Sequence, residues 1–234
     1  MVELTRGNIL KAEAEALVNT VNCVGFMGKG IALQFKKAYP DNFEDYRKAC
    51  TAGEVQPGRM HIFELRSILN PKFVINFPTK RDWRSSSRYE DIEAGLEALV
   101  ADVRRLGITS IAVPPLGCGL GGLAWNRVRP MIEAAFAPLP SVRVLLYEPA
   151  GAPEARQMPV RTTRPHLSIA RALFIRLMDL YASQSYRLTL LEIQKLAYFL
   201  QEAGQPLRLR YDAGQPDCHI LYRLSFGSGQ VPGR

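Results

Sequence analysis

Twice in this chain a short apolar run of strand character empties into a glycine-rich loop that leads into a helical pattern. The first loop, Gly25-Phe-Met-Gly28-Lys29-Gly30-Ile31-Ala32-Leu-Gln-Phe35, follows the run that carries Asn19 and Asn22. The second, Pro114-Pro115-Leu116-Gly117-Cys118-Gly119-Leu120-Gly121-Gly122, follows residues 110–113 and precedes a helix beginning near Ala124. Strand, loop, helix in that order points to crossover connections, which parallel strands require and hairpins do not. Other strand candidates are 16–21, 60–65, 73–77 and 142–147. The clearest helix spans about 88–106, where Ile92, Leu96, Leu99, Val103 and Leu106 recur at spacings of four and three. Apolar strands alternating with helices predict a three-layer α/β/α domain over residues 1–149, built on a mixed or mostly parallel sheet.

The character then changes. Residues 150–165 (AGAPEARQMPVRTTRP) are proline-rich without apolar periodicity and read as a linker. Residues 166–234 read as a short helical C-terminal segment. One helix covers about 167–181, with Leu173, Leu177 and Leu180 on one stripe. A second opens on the capping-box spacing Thr189…Glu192 and runs to Gly204. After Arg210 the pattern dissolves, so the segment reads as the start of something longer or a module that packs on a partner.

Composition narrows the function classes. No apolar stretch approaches the roughly 18–20 residues of a membrane span, and MVELTRGNIL lacks the apolar core of a signal peptide, so a cytoplasmic protein without membrane contact is expected. The cysteines Cys23, Cys50, Cys118 and Cys218 and the histidines His61, His166 and His219 show no ligand spacing, so neither a disulfide framework nor a metal is expected. The formal charge is +8, and 22 of the 30 basic residues are arginine, the side chain suited to bidentate phosphate contacts. Charge alone leaves two readings open, a phosphate-bearing partner or an arginine-rich proteome.

Glycines at a strand-to-helix turn let backbone N–H groups approach phosphate oxygens, and the helix N-terminus adds its dipole. Either loop alone could be only a tight turn. Neither is a Walker loop, since no Gly-Lys-Ser/Thr occurs, and neither keeps the GxGxxG-plus-distant-acid layout of a dinucleotide fold. Two at the carboxyl ends of strands of one sheet favour a pyrophosphate ligand. Lys80 follows the apolar strand 73–77, in Asn76-Phe-Pro-Thr79-Lys80-Arg81-Asp82-Trp83-Arg84. The cations Arg81 and Arg84 would favour its neutral, nucleophilic form, and Trp83 offers a stacking face. The plainer alternative is a polar loop with a solvated lysine and a tryptophan packed on the core.

Thr5-Arg-Gly-Asn8-Ile9, Val18-Asn19-Thr-Val-Asn22, Gly28-Lys-Gly30-Ile-Ala-Leu-Gln-Phe35, Phe77-Pro-Thr-Lys80 and Pro115-Leu-Gly117-Cys-Gly119-Leu together resemble the macrodomain family of ADP-ribose-binding α/β/α modules. Within it they are most similar to the DarG group of antitoxins, which remove the ADP-ribose that DarT-type toxins attach to thymidine in single-stranded DNA. The resemblance implies a DNA ADP-ribosyl glycohydrolase with ADP-ribose as ligand and product, no cofactor, and ADP-ribosylated single-stranded DNA and a cognate toxin as partners. It implies adenine contacts from Asn8 and Ile9, where many macrodomains carry Asp at the first position. It implies a pyrophosphate cradle from Gly28, Lys29, Gly30, Ile31 and Ala32 opposite Gly117, Cys118, Gly119, Leu120, Gly121 and Gly122, with Asn19, Thr79, Trp83, Pro115 and Leu116 in substrate contact. Asn22 would orient the distal ribose and Lys80 would be the catalytic lysine, with Arg81, Arg84 and Arg88 meeting the DNA strand. Related glycohydrolases pair their lysine with an aspartate that would align at Gly121, which leaves Lys80 as the main candidate here. The rival readings are a hydrolase of ADP-ribosylated protein carboxylates, a non-catalytic ADP-ribose reader, and a plain nucleic-acid binder.

Overall fold

The alternating apolar runs assemble into one six-stranded sheet. The computed structural model describes residues 1–149, 159–162, 167–182 and 188–207. Its strands are β1 (Val2–Thr5), β2 (Ala16–Asn22), β3 (His61–Glu64), β4 (Phe73–Lys80), β5 (Ser110–Val113) and β6 (Arg143–Tyr147). They lie in the order β1-β6-β5-β2-β4-β3. Every neighbouring pair is parallel except the β3–β4 pair at one edge, so the sheet is mixed.

Strand side chains alternate between two cores, as a period of two requires. Val18, Phe77, Val113 and Leu146 point to one face, which is covered by α3 (Tyr89–Arg105) and α4 (Trp125–Phe136). Leu17, Val74, Ala112 and Leu145 point to the other, covered by α1 (Gly30–Ala38) through Phe35 and Ala38. A third cluster gathers Val21 and Met27 around Tyr46 and Ala49 of α2 (Pro40–Thr51). The result is the α/β/α layering expected from the sequence. The stripe Ile92, Leu96, Leu99 and Val103 of α3 is buried. Within it a Cβ on Gly95 would lie 2.2 Å from the Phe77 ring, so glycine is what lets α3 settle onto β4.

Two elements were not legible. β1 is four residues with polar alternation, and α2 buries Asn42, Tyr46 and Ala49, a face with no apolar run to read. One strand is longer than expected: β4 continues through Pro78 to Lys80, so Lys80 ends the strand rather than following it. β3 stops opposite Asn76, and beyond that point β4 is an open edge on this side, a location that tolerates proline.

The amino ends of β2, β4 and β5 are tied by Glu15. Its carboxylate accepts from the Thr109 N–H (2.7 Å), the Thr109 hydroxyl (2.8 Å) and Lys72 Nζ (2.9 Å). Its backbone carbonyl takes the Lys72 and Phe73 N–H groups, and its own N–H reaches Ser110 Oγ at 3.0 Å.

Contacts divide the chain into two compact units, Met1–Thr163 and Arg164–Arg234. Of the stretch 150–165, only 159–162 are among the described residues, and there the Arg161 N–H donates to the Lys37 carbonyl at the end of α1 (2.8 Å). The second unit holds α5 (Ile169–Tyr181), capped by Ser168, and α6 (Leu190–Glu202), which opens on the Thr189/Glu192 capping box. The stripe expected on α5 is turned outward at Leu173 and Leu180. Its more sheltered side is Phe174, Leu177 and Met178, one residue round the helix. The tail from 208 onward, with Cys218 and His219, lies outside the described residues, as does His166. No described helix is long and apolar enough to cross a membrane.

Candidate active site

Loops at the carboxyl ends of β2, β4, β5 and β6 enclose a cavity of about 490 Å³, within the usual range for small-molecule sites. The first glycine loop forms one wall, with Gly28, Lys29, Gly30, Ile31 and Ala32 all facing the cavity. It ends in the N-terminus of α1, which no side chain caps, so the first-turn N–H groups remain available to an anion. The second loop forms the opposite wall through Pro115, Gly117, Gly119, Leu120 and Gly121. Its Gly119, Leu120 and Gly121 N–H groups make no hydrogen bond among the described residues. Two walls of free backbone donors facing one space are what a pyrophosphate needs.

Lys80 and Thr79 enter from β4. Lys80 Nζ donates to the Leu120 carbonyl at 2.5 Å, which places the amine between the two loops. Beside it, Phe26 and Trp83 lie with ring centres 6.0 Å apart, both largely exposed. At the far end are Asn8, Ile9, Tyr147 and Glu148. Asn8 Oδ1 caps the short 3-10 turn 9–11 by accepting the Leu10 N–H at 3.0 Å. That bond fixes the amide's orientation and leaves Nδ2, buried and without a protein partner, as the group Asn8 can offer.

Several expected site residues lie elsewhere. Asn19 is fully buried beneath the cavity and outside its lining. Its Nδ2 donates to Asn76 Oδ1 at 2.9 Å, Asn76 Nδ2 donates to Asn42 Oδ1 at 2.7 Å, and Asn76 also meets His61 Nδ1 at 3.1 Å. His61 in turn faces Asp45 at 3.2 Å, and burial holds the imidazole below its ordinary pKa, so the chain of amides ends on a neutral ring. Asn19 Nδ2 also lies 3.9 Å from Met27 Sδ, so this network anchors the first loop from below. Leu116 is core, and burial pushes the Cys118 thiol up to about 11, the state of an inert packing residue. Gly122 lies at an exposed turn outside the lining.

Asn22 lines the cavity, but its side chain is committed to the loop. Oδ1 accepts from the Val24 and Phe26 N–H groups (3.0 and 3.2 Å), and Nδ2 donates to the Phe26 carbonyl at 2.5 Å. The buried Tyr46 hydroxyl donates to the Asn22 carbonyl at 2.5 Å. The Asn22 amide thus holds Phe26 in place while the residue itself lines the cavity. Of the three arginines assigned to DNA, Arg81 is turned aside onto Asp91 at 3.0 Å, while Arg84 and Arg88 are exposed beyond the cavity lining.

Gly121 settles whether the second loop could hold an acid. A Cβ there would lie 2.3 Å from both the Gly117 carbonyl oxygen and Ser87 Oγ. The position is closed to any side chain, so the missing carboxylate is excluded by packing as well as by sequence.

Phe26, Tyr147 and Glu148 line the cavity without having been singled out in the sequence. The signal for Phe26 was an aromatic within a glycine loop. For the other two it was position at the carboxyl end of the last strand, where α/β sheets place ligand contacts.

The fold and this cavity define an α/β/α module with a paired-loop phosphate site. Residues 18–132 match the Macro domain family. The chain's first unit is similar to the macrodomain of Mycobacterium tuberculosis DarG, at 51% identity and a TM-score of 0.64, covering 64% of this chain and 99% of that one. The chain belongs to the macrodomain family. A DNA ADP-ribosyl glycohydrolase of Thermus aquaticus is 47% identical over 230 residues, covering 96% of this chain and 64% of the relative. Thermosipho africanus DarTG, solved in complex with ADP-ribose, is 33% identical with a TM-score of 0.61, covering 68% of this chain and 44% of that one. The chain thus spans under two thirds of the length of the curated glycohydrolase it resembles.

Proposed function

We propose that this chain is a DNA ADP-ribosyl glycohydrolase, hydrolysing the bond between ADP-ribose and a thymine ring nitrogen in single-stranded DNA and so reversing a DarT-type toxin. The observation that carries the reading is Lys80 at the open end of a cavity walled by two donor loops, its amine held at Leu120 and flanked by exposed Phe26 and Trp83. The loops would take the pyrophosphate, and Asn8, Ile9, Tyr147 and Glu148 the adenine end. The anomeric carbon would then lie toward Lys80. As the glycosidic bond breaks, its electron pair leaves with thymine and the ribose becomes oxocarbenium-like. A protonated Lys80 would stabilise the departing base and protonate it while water adds to the ribose carbon and gives up a proton; a neutral Lys80 would add to the carbon and be displaced by water. ADP-ribose is product in both routes and no cofactor takes part. With Gly121 closed to side chains, no carboxylate from the second loop assists.

The experiment is release of ADP-ribose from a thymidine-modified single-stranded oligonucleotide by the parent and by Lys80→Ala, with an ADP-ribosylated protein as control. The expected outcome is DNA release by the parent, a loss of at least roughly 10²-fold in the variant, and unchanged affinity for free ADP-ribose. Clearance of the protein and not the DNA would identify the carboxylate-ester hydrolase instead. Trapping with borohydride distinguishes the two roles of the amine.

A further inference from the structure

Between the mouth of the cavity and the start of α4 runs a strip of exposed arginines that the cavity does not use. Arg84 lies over the Trp83 ring, 4.7 Å from its centre. Arg88 stands at the N-cap of α3. Arg127, on the first turn of α4, lies 3.9 Å over the Tyr89 ring. None of the three makes an ion pair among the described residues, in contrast to Arg81 and Arg129. Nearby carboxylates are engaged elsewhere: Asp82 Oδ1 accepts the Arg84 N–H at 2.8 Å, and Asp91 holds Arg81. Glu90, exposed on the first turn of α3, is the acidic neighbour that remains.

The strip is joined to the second loop. The Ser87 N–H donates to the Gly121 carbonyl at 3.0 Å, and the Ala124 N–H donates to the Tyr89 hydroxyl at 3.2 Å. Arg88 and Arg127 therefore stand beside Tyr89 at the edge of the cavity wall, while Phe26, Trp83 and Arg84 stand at its mouth. The two loops already supply donors for both phosphates of a small ligand. Further arginines interleaved with exposed rings suit a longer polyanion whose bases are free to stack, which is a single strand and not a duplex.

We propose that the nucleotides flanking the modified thymidine leave the cavity over Phe26 and Trp83 and run along Arg84, Arg88 and Arg127, forming a single-stranded nucleic-acid track. The track makes an oligonucleotide a better substrate than the modified nucleoside alone. It rests on the glycohydrolase reading and names how that site selects a strand.

The test compares the parent, Arg88→Ala/Arg127→Ala and a control, Arg104→Ala/Arg105→Ala, at the opposite end of α3, about 25 Å away. Each acts on ADP-ribosylated thymidine and on a single-stranded oligonucleotide carrying it. The Arg88/Arg127 variant should raise KM for the oligonucleotide about ten-fold and leave kcat and the nucleoside reaction unchanged. Its dependence of log KM on log salt should flatten by about 1.4, or about 0.7 for each phosphate that an arginine no longer neutralises. Parent-like turnover of the oligonucleotide, equal loss on both substrates, or the same loss in the Arg104/Arg105 control would each overturn the track. If the parent cleaves neither substrate, the glycohydrolase reading fails by itself. The track is then decided by fluorescence anisotropy with a labelled, unmodified oligothymidine: binding weakened about ten-fold in the Arg88/Arg127 variant supports it, and equal binding overturns it.

Discussion

At the amino ends of β2, β4 and β5, the Glu15 carboxylate accepts three bonds from Thr109 and Lys72, and Ser110 Oγ takes the Glu15 N–H. At the carboxyl ends of the same strands the accounting is the reverse. The described residues hold three buried side-chain polar atoms without a partner, and all lie at or just beneath the cavity: Asn8 Nδ2, Asn19 Oδ1 and Ser87 Oγ. Unsatisfied buried groups cost about 1–3 kcal/mol each. Of the three, Asn8 lines the cavity, so its Nδ2 is the donor a ligand can take, whereas the polar groups at the amino end are committed to the fold. Substitutions at the two ends should therefore separate stability from activity.

The largest separation is expected at Gly121. Gly121→Ala would press a methyl against the Gly117 carbonyl and Ser87, displacing the loop whose Leu120 carbonyl holds Lys80. A shift of about 1 Å at such a site costs roughly 10²-fold in rate. We expect that loss in ADP-ribose release together with weakened ADP-ribose binding by calorimetry, whereas Lys80→Ala should lose rate alone. A Gly121→Ala protein that retains parental activity would show that the loop is not the rigid wall described.

Glu15→Gln should do the opposite, lowering stability by about 1–2 kcal/mol at neutral pH with no change in turnover. The Thr109 N–H, with Lys72 and the Thr109 hydroxyl behind it, holds the Glu15 carboxyl at about 2 against an ordinary 4.5. A depressed carboxyl stabilises fully above its unfolded value and loses that contribution as pH falls through the folded one. The parent should therefore converge on the variant between about pH 4.5 and pH 2 in urea melts. A constant difference across that window would remove Glu15 from the account.

The same contrast explains what could be read in advance. The strands β2 to β6 and α3 were legible because each buries apolar residues at the period its geometry dictates. The glycine loops and Lys80 were legible because phosphate binding needs backbone access at strand ends. Asn19 was misplaced because one residue type serves both purposes: an asparagine near a cavity looks the same whether it bonds a ligand, a buried amide as Asn19 does, or its own loop as Asn22 does. The arginines show the same limit, since only packing reveals that Arg81 faces Asp91 while Arg127, absent from any motif, lies open over Tyr89.

The smallest effect offers the sharpest comparison, because one substitution type can be made at both ends. Ser110 Oγ accepts the Glu15 N–H, so Ser110→Ala strands a backbone donor and should cost about 1 kcal/mol. Ser87 is buried to 6% exposure, yet its Oγ has no partner within the protein and lies against the second loop. Ser87→Ala removes a desolvated hydroxyl that contributes no bond to the fold, so stability should hold or rise by up to about 1 kcal/mol. If that hydroxyl serves the ligand, the alanine protein should bind ADP-ribose more weakly while melting no lower than the parent. Parallel losses of stability at Ser87 and Ser110 would instead mean that the two ends of the sheet are built alike.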